Sequence, residues 1–73
     1  MERLYEKYKT PEGNIWEIWF VIYETQIGKD EVLQYKKNGK EIGHHTRHFD
    51  KNNRLLKENF HGITTIPSNA IKI

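Results

Sequence analysis

The sequence contains no cysteine, and its 73 residues include only two prolines, one methionine and five glycines. Without cysteine, neither disulfide bonds nor zinc sites built from thiolates can form. Long hydrophobic runs are also missing: the longest, Ile18 to Tyr23, is six residues, against the roughly 20 that a membrane-spanning helix needs. The first seven residues lack the apolar segment of a secretory signal. We therefore expect a cytoplasmic protein that does not enter a membrane.

A chain of this length forms a single domain whose core has to come from few residues. Domains of this size bury only about 60% of the surface that their unfolded chains expose. Apolar residues make up 36% of the sequence, so large aromatic side chains must supply much of the buried volume. The bulkiest of these are Trp16, Trp19, Phe20, Phe49 and Phe60.

Turn-forming residues at short, regular intervals predict an all-β fold. Asn38-Gly39 is the preferred pair for a two-residue type I′ hairpin, since both positions need a positive φ. Proline cannot donate to a sheet, so Pro67-Ser68-Asn69 should form a corner before a short last strand. Further turns are expected at 10–14, 27–30 and 50–53, and strands at 4–9, 15–25, 31–37, 40–49, 63–66 and 70–73.

Residues 54–60 fit two kinds of structure. Leu56 and Phe60 have the i,i+4 spacing of a helix face, Asn53 could cap a helix there, and Gly62 could end it. A strand is favoured, because the neighbouring segments have strand-like composition and the turns are closely spaced.

Residues 15–25 give the strongest strand signal, and both faces of that strand are apolar. With a period of two, Trp16, Ile18 and Phe20 lie on one face and Trp19 and Val21 on the other. Such a strand is either central and covered on both sides, or it displays aromatic surface to a partner.

Three stretches, taken in order, resemble the Src-homology-3 family. Residues 21–25 (Val-Ile-Tyr-Glu-Thr) are similar to its Ala-Leu-Tyr-Asp-Tyr motif, and residues 30–39 (Asp-Glu-Val-Leu-Gln-Tyr-Lys-Lys-Asn-Gly) to its Asp-Glu-Leu-Ser-Phe-Lys-Lys-Gly segment. Residues 66–71 (Ile-Pro-Ser-Asn-Ala-Ile) are similar to its Ile-Pro-Ser-Asn-Tyr-Val corner. The resemblance covers about residues 20–73 and implies a small antiparallel barrel of five or six strands, with residues 1–19 as an N-terminal strand addition.

The peptide groove of that family does not carry over. Its members bind polyproline II peptides between stacked aromatic rings, beside the acids of a long first loop. Tyr23 matches one of those rings, and Asp30 and Glu31 match the acids, but Thr25 and Ala70 stand where two tyrosines would be. The tryptophan that follows the family's second loop also has no counterpart. We therefore do not expect binding of proline-rich peptides.

The function that we expect is that of a non-enzymatic protein-binding module, such as an adaptor or host-protein inhibitor encoded by a phage or mobile element. Trp and Tyr anchor protein interfaces disproportionately, and abundant Lys, Asn and Ile fit an A+T-rich bacterial or phage genome. Residues 1–19 either form an interface, including one between two copies in a homodimer, or cap the open end of the barrel. The residues expected to bind the partner are Trp16, Trp19, Tyr23, Asp30 and Glu31.

Nucleic acid is the alternative partner. The net charge is only +2, but residues 1–31 carry seven acids and four bases, while residues 32–73 carry three acids and eight bases. This asymmetry indicates either a basic face for phosphates or charges that pair across the sheet. Small β-barrels bind single strands through basic residues interleaved with aromatic ones. The basic residues that would do so are Lys36, Lys37, Lys40, Arg47, Arg54 and Lys57.

Four histidines suggest a metal site, but strand geometry disfavours one. His44 and His48 would share a strand face about 13 Å apart at roughly 3.3 Å per residue, whereas a zinc ligand lies about 2.1 Å from the ion. His45 faces the other way, and His61 could join only one of them. Catalysis has little support, since the one serine lies in the expected corner and cysteine is absent. We expect no metal, cofactor or enzyme activity.

Overall fold

The computed structural model describes residues 1–73 and confirms an all-β chain of six antiparallel strands. Residues 54–60, which fit either a strand or a helix by sequence, lie almost entirely in a strand. No helix is long and apolar enough to cross a bilayer. The strands are β1 (Glu2–Lys9), β2 (Ile15–Thr25), β3 (Gly28–Lys37), β4 (Lys40–Asp50), β5 (Leu55–Gly62) and β6 (Ile71–Lys72), and they form one sheet in the order β5-β4-β3-β2-β1-β6.

The β3–β4 hairpin turns at Asn38-Gly39, as the sequence predicts. Asn38 has a φ of 52° and Gly39 a φ of 85°, the left-handed values that a type I′ turn requires. The Asn38 side chain also accepts a hydrogen bond from the Ile15 amide at 2.9 Å and donates one to Asn14 Oδ1 at 3.0 Å. The turn therefore holds the start of β2 as well as the register between β3 and β4.

The loop expected at 27–30 is wrong. The β2–β3 turn consists of Gln26-Ile27 alone, and β3 begins at the next residue. The register of β2 against β3 is unbroken along its whole length, so backbone pairing continues to the end of the hairpin. Asp30 and Glu31 are consequently strand residues and do not form an acidic loop.

The strand expected at 63–66 is also wrong, because these residues begin a crossing over the sheet. β5 lies at one edge, and β6 lies beside β1 at the opposite edge. Residues 63–70, which we call the crossing segment, therefore pass over one face of the sheet. The passage is close at Gly43, where a Cβ atom would clash with the backbone of Ile63.

The crossing segment ends in the corner that the sequence predicts. The amide of Ala70 donates to the Pro67 carbonyl at 3.0 Å and closes this turn. The chain then forms β6, in which Lys72 pairs with Tyr8, and the following Ile73 amide bonds to the Lys7 carbonyl at 2.9 Å. β1 thus lies between β2 and β6, and the N-terminal residues are built into the sheet.

The sheet is open, whereas the sequence predicts a barrel. No pairing joins β5 to β6, which lie at opposite edges of the sheet, and the two residues of β6 pair with β1 alone. The radius of gyration is 13.7 Å, compared with about 11 Å for a compact chain of this length. With principal extents of 43 × 20 × 17 Å, the molecule is elongated.

Side chains divide between two faces of the sheet, because neighbours along a strand point in opposite directions. We call the face that carries Trp16 and Ile18 the front face, and the one that carries Val21 and Val32 the back face; these four are the buried hydrophobic residues. Gly43 is a front-face position in the same row as Ile18. The crossing segment therefore covers the front face near Trp16 and Ile18.

Candidate functional site

β5 is the most exposed long strand of the sheet. It pairs with β4 on one side only, and all eight of its residues are exposed. Three are large and apolar: the exposed fraction is 48% for Leu55, 52% for Leu56 and 64% for Phe60. An unpaired strand edge offers backbone N–H and C=O groups to another strand. We call the outer side of β5, with these three side chains, the β5 edge.

Phe60 is held at the β5 edge by a stack on its neighbour in β4. The His45 ring lies opposite, with a centroid distance of 4.1 Å and an interplanar angle of 11°. His45 Nε2 lies 2.9 Å from a carboxylate oxygen of Glu58, which is also on β5. In the same front-face row, Leu33 and Phe20 continue an apolar line across β3 and β2. This row connects the β5 edge to the centre of the front face.

The next front-face row contains charged side chains that form ion pairs within the sheet. Arg47 donates to Glu31 at 2.9 Å, and Lys29 lies 3.3 Å from the other Glu31 oxygen. Both cations also lie over the Phe49 ring, at 5.8 Å for Arg47 and 5.4 Å for Lys29. Glu31 thus binds two cations, and these contacts tie β3 to β4 between the aromatic row and the turn end of the sheet.

On the back face, a chain of hydrogen bonds ties β5 to β3 through β4. His48 Nδ1 lies 2.7 Å from Asp30, and its Nε2 lies 3.1 Å from the Asn59 side-chain nitrogen. His48 thus bridges Asp30 of β3 and Asn59 of β5 through its two ring nitrogens. The inner side of β5 is therefore fastened by side chains as well as by backbone pairing.

The four histidines are engaged in protein contacts. His44 stacks on His61 with ring centroids 5.2 Å apart, while His45 and His48 bond to carboxylates of Glu58 and Asp30. No three His, Cys, Asp or Glu side chains are arranged to hold a metal ion. The metal interpretation gains no geometric support.

The residues expected to bind a protein partner do not form one surface. Trp16 is only 6% exposed and lies on the front face, in the core. Trp19, Tyr23 and Asp30 are on the back face, whereas Glu31 is on the front. The β5 edge was not predicted from sequence, although the apolar residues of segment 54–60 were the available signal.

The basic residues expected to bind nucleic acid are likewise divided between the two faces. Lys36 and Lys57 are on the back, Lys37, Lys40 and Arg47 are on the front, and Arg54 follows the β4–β5 turn. Some charges pair between the two halves of the sequence, as in Lys72 with Glu6 at 3.3 Å and Arg47 with Glu31.

Two tyrosines on the front face have raised pKa values. Donation of a hydrogen bond to Glu6 at 3.0 Å raises the pKa of Tyr8. Burial raises the pKa of Tyr35, with a smaller contribution from the charge of Glu6.

The molecule has two shallow hollows. One, of about 260 Å³, lies at the turn end of the sheet between Gly28 and Asp50; the other, of about 350 Å³, lies between Thr10 and Ile71. No protein-family model matches the chain, and no curated protein or solved structure is significantly similar to it.

Proposed function

We propose that this protein is a non-enzymatic protein-binding module that adds a strand of its partner to the β5 edge. The observation that carries the proposal is the exposure of all eight β5 residues beside an unpaired backbone edge. In strand addition, main-chain hydrogen bonds supply affinity and alternate side chains supply specificity. Leu55 and Phe60 would anchor the partner on the front face.

The opposite edge of the sheet is protected against such pairing. β6 is two residues long, and β1 beyond it is interrupted by a register shift between Leu4 and Glu6. Short edge strands and bulges are devices by which proteins prevent strand addition. The corresponding shift in β5 lies near its start, between Leu55 and Lys57, and leaves residues 57–62 in regular pairing with β4. The two edges therefore differ, and β5 is the one suited to a partner.

The test is capture of binding partners from the native host with wild-type protein and two variants, followed by mass spectrometry. Phe60→Lys places a charge on the β5 edge, and Ile27→Lys places one at a turn residue of equal exposure, 64%. We expect Phe60→Lys to lose the partner and Ile27→Lys to retain it. Equal capture by all three proteins would exclude the β5 edge as the binding surface.

Nucleic acid binding is the second candidate, and pairs of basic and aromatic side chains favour it. Lys36 lies 4.9 Å from the Trp19 ring centroid on the back face, and Lys37 lies 5.7 Å from that of Trp16 on the front. Stacking combined with positive charge is how many proteins hold single strands. This function predicts affinity for single-stranded DNA or RNA that falls steeply with salt, and absence of retention at low ionic strength would eliminate it.

The proposal also includes a fold relationship to a known family and a biological role for the module. A relationship to the Src-homology-3 barrel is supported by six antiparallel strands and by the Pro67-Ser68-Asn69 corner, although the sheet is open. A cytoplasmic adaptor or inhibitor of a host protein, encoded by a bacterium's phage or mobile element, is the role that suits a small binding module of this composition.

A further inference from the structure

We infer that the strand bound at the β5 edge is β5 of a second copy, so that two chains form one continuous antiparallel sheet. This inference rests on the proposed function and names its partner. The first support is the shortage of core: six of 73 residues are buried, and no large side chain is fully buried. Small domains without disulfides commonly gain missing burial by association.

The second support is that self-pairing of β5 forms a closed assembly. A two-fold axis through the sheet pairs the same edge of both copies, so no free β5 edge remains. Pairing of β5 with β1 of another copy would be head-to-tail and would extend without limit. The register shift and the two-residue β6 obstruct that second arrangement.

The charges of β5 and the length of the overlap together select the register of the pair. A two-fold axis perpendicular to the sheet keeps the front faces of both copies on the same side. Since directly opposed side chains in an antiparallel pair lie on one face, the axis must pass between a residue and the same residue of the second copy. An axis at Lys57 or Glu58 would oppose like charges, which destabilises a strand pair. Axes at Asn59 and at Phe60 both avoid this, but an axis at Phe60 overlaps only five residues, 58–62. An axis at Asn59 overlaps seven, 56–62, and opposes Glu58 to the second copy's Phe60.

In that register the aromatic rows of the two copies meet. The two Phe60 side chains are diagonal neighbours about 7–8 Å apart, within reach of aromatic rings. Each ring already stacks on its own His45. The front face would then carry a line of four rings, His45 and Phe60 from each copy, across the centre of the dimer.

Single cysteines test both the dimer and its register, because the protein has no native cysteine. Opposed residues in an antiparallel pair have Cα atoms about 4.5–5.5 Å apart, which suits a disulfide. Under mild oxidation, Asn59→Cys should cross-link to a dimer. Lys57→Cys and His61→Cys should each remain largely uncross-linked alone, because their own copies lie about 13 Å apart along the strands, but should cross-link when mixed.

Two results would overturn the inference. We expect the wild-type mass in solution to rise from about 8.8 kDa towards twice that value with concentration, and Phe60→Lys to abolish the rise. A wild-type mass near 8.8 kDa at every concentration up to the millimolar range is the first such result. The other is equal cross-linking at all three positions, or strongest cross-linking at Phe60→Cys. A monomeric wild type that still loses host-partner capture on Phe60→Lys would refute self-pairing and leave the proposed function intact.

Discussion

β2 and β5 both contain large apolar side chains, but the surroundings of the two strands differ. β2 has paired strands on both sides, and its Trp16 and Ile18 are among the most buried residues of the chain. β5 has one neighbour, and its Leu56 and Phe60 remain more than half exposed. Although β2 is also the more apolar strand, the contrast between single large rings is clear: Trp16, in a strand with two neighbours, is buried, whereas Phe60, in an edge strand, stays exposed.

Truncation of one aromatic ring in each strand tests this difference in burial most directly. Trp16→Ala should cost about 3–5 kcal/mol of unfolding free energy, because it leaves a cavity in the core. That is a large share of the roughly 4–11 kcal/mol typical of a domain this size. Phe60→Ala should cost less than about 1 kcal/mol in the monomer. Urea titrations at low protein concentration measure both, and equal losses would contradict the contrast.

A second prediction concerns Gly43, where the crossing segment passes closest to the sheet. Gly43→Ala should destabilise by about 1–3 kcal/mol, because the new methyl group meets the fixed backbone of Ile63. Thr46→Ala, also on β4 but on the back face, is the control and should cost less. Thermal unfolding compares the two variants, and a Gly43→Ala protein as stable as wild type would mean that the crossing segment yields easily.

The turns of this fold were predictable from local sequence, whereas the features that depend on the strand order were not. The Asn38-Gly39 turn and the Pro67-Ser68-Asn69 corner follow from the backbone requirements of those residues. The crossing segment does not, because only the final strand order forces residues 63–66 over the sheet. The β5 edge was missed for the same reason: a segment with Leu56 and Phe60 looks like core until its neighbours are known.

A third prediction compares an inner ion pair with an edge pair. Glu31→Gln removes the charge partner of Arg47 between β3 and β4, and it should cost about 1 kcal/mol at low salt and less at high salt. Lys72→Met removes the exposed partner of Glu6 between β6 and β1 and should cost less than about 0.5 kcal/mol. Denaturant titrations at two salt concentrations measure both. The reverse ranking would place the stronger electrostatic tie at the edge.

The smallest expected effect is a loss of stability at alkaline pH caused by two tyrosines on the strands that flank β2. The raised pKa of Tyr35 and of Tyr8 means that the folded chain keeps protons which the unfolded chain releases above about pH 10. Stability from these groups is therefore complete below that pH and decreases as pH rises through their folded values. The double variant Tyr35→Phe/Tyr8→Phe should lose less unfolding free energy as the pH rises, measured by urea titrations at several pH values. An unchanged dependence on pH would assign the loss to other groups.

The pairing of Lys72 with Tyr8 also constrains the order of folding. These residues are more than sixty positions apart, whereas the hairpins that join β2, β3, β4 and β5 are local and of a kind that forms within microseconds. Closing so long a loop carries an entropic cost before it gains contacts. We therefore expect the four-strand meander to assemble first and the C-terminal residues to join β1 last, so that during synthesis the β5 edge is complete before the opposite edge is sealed.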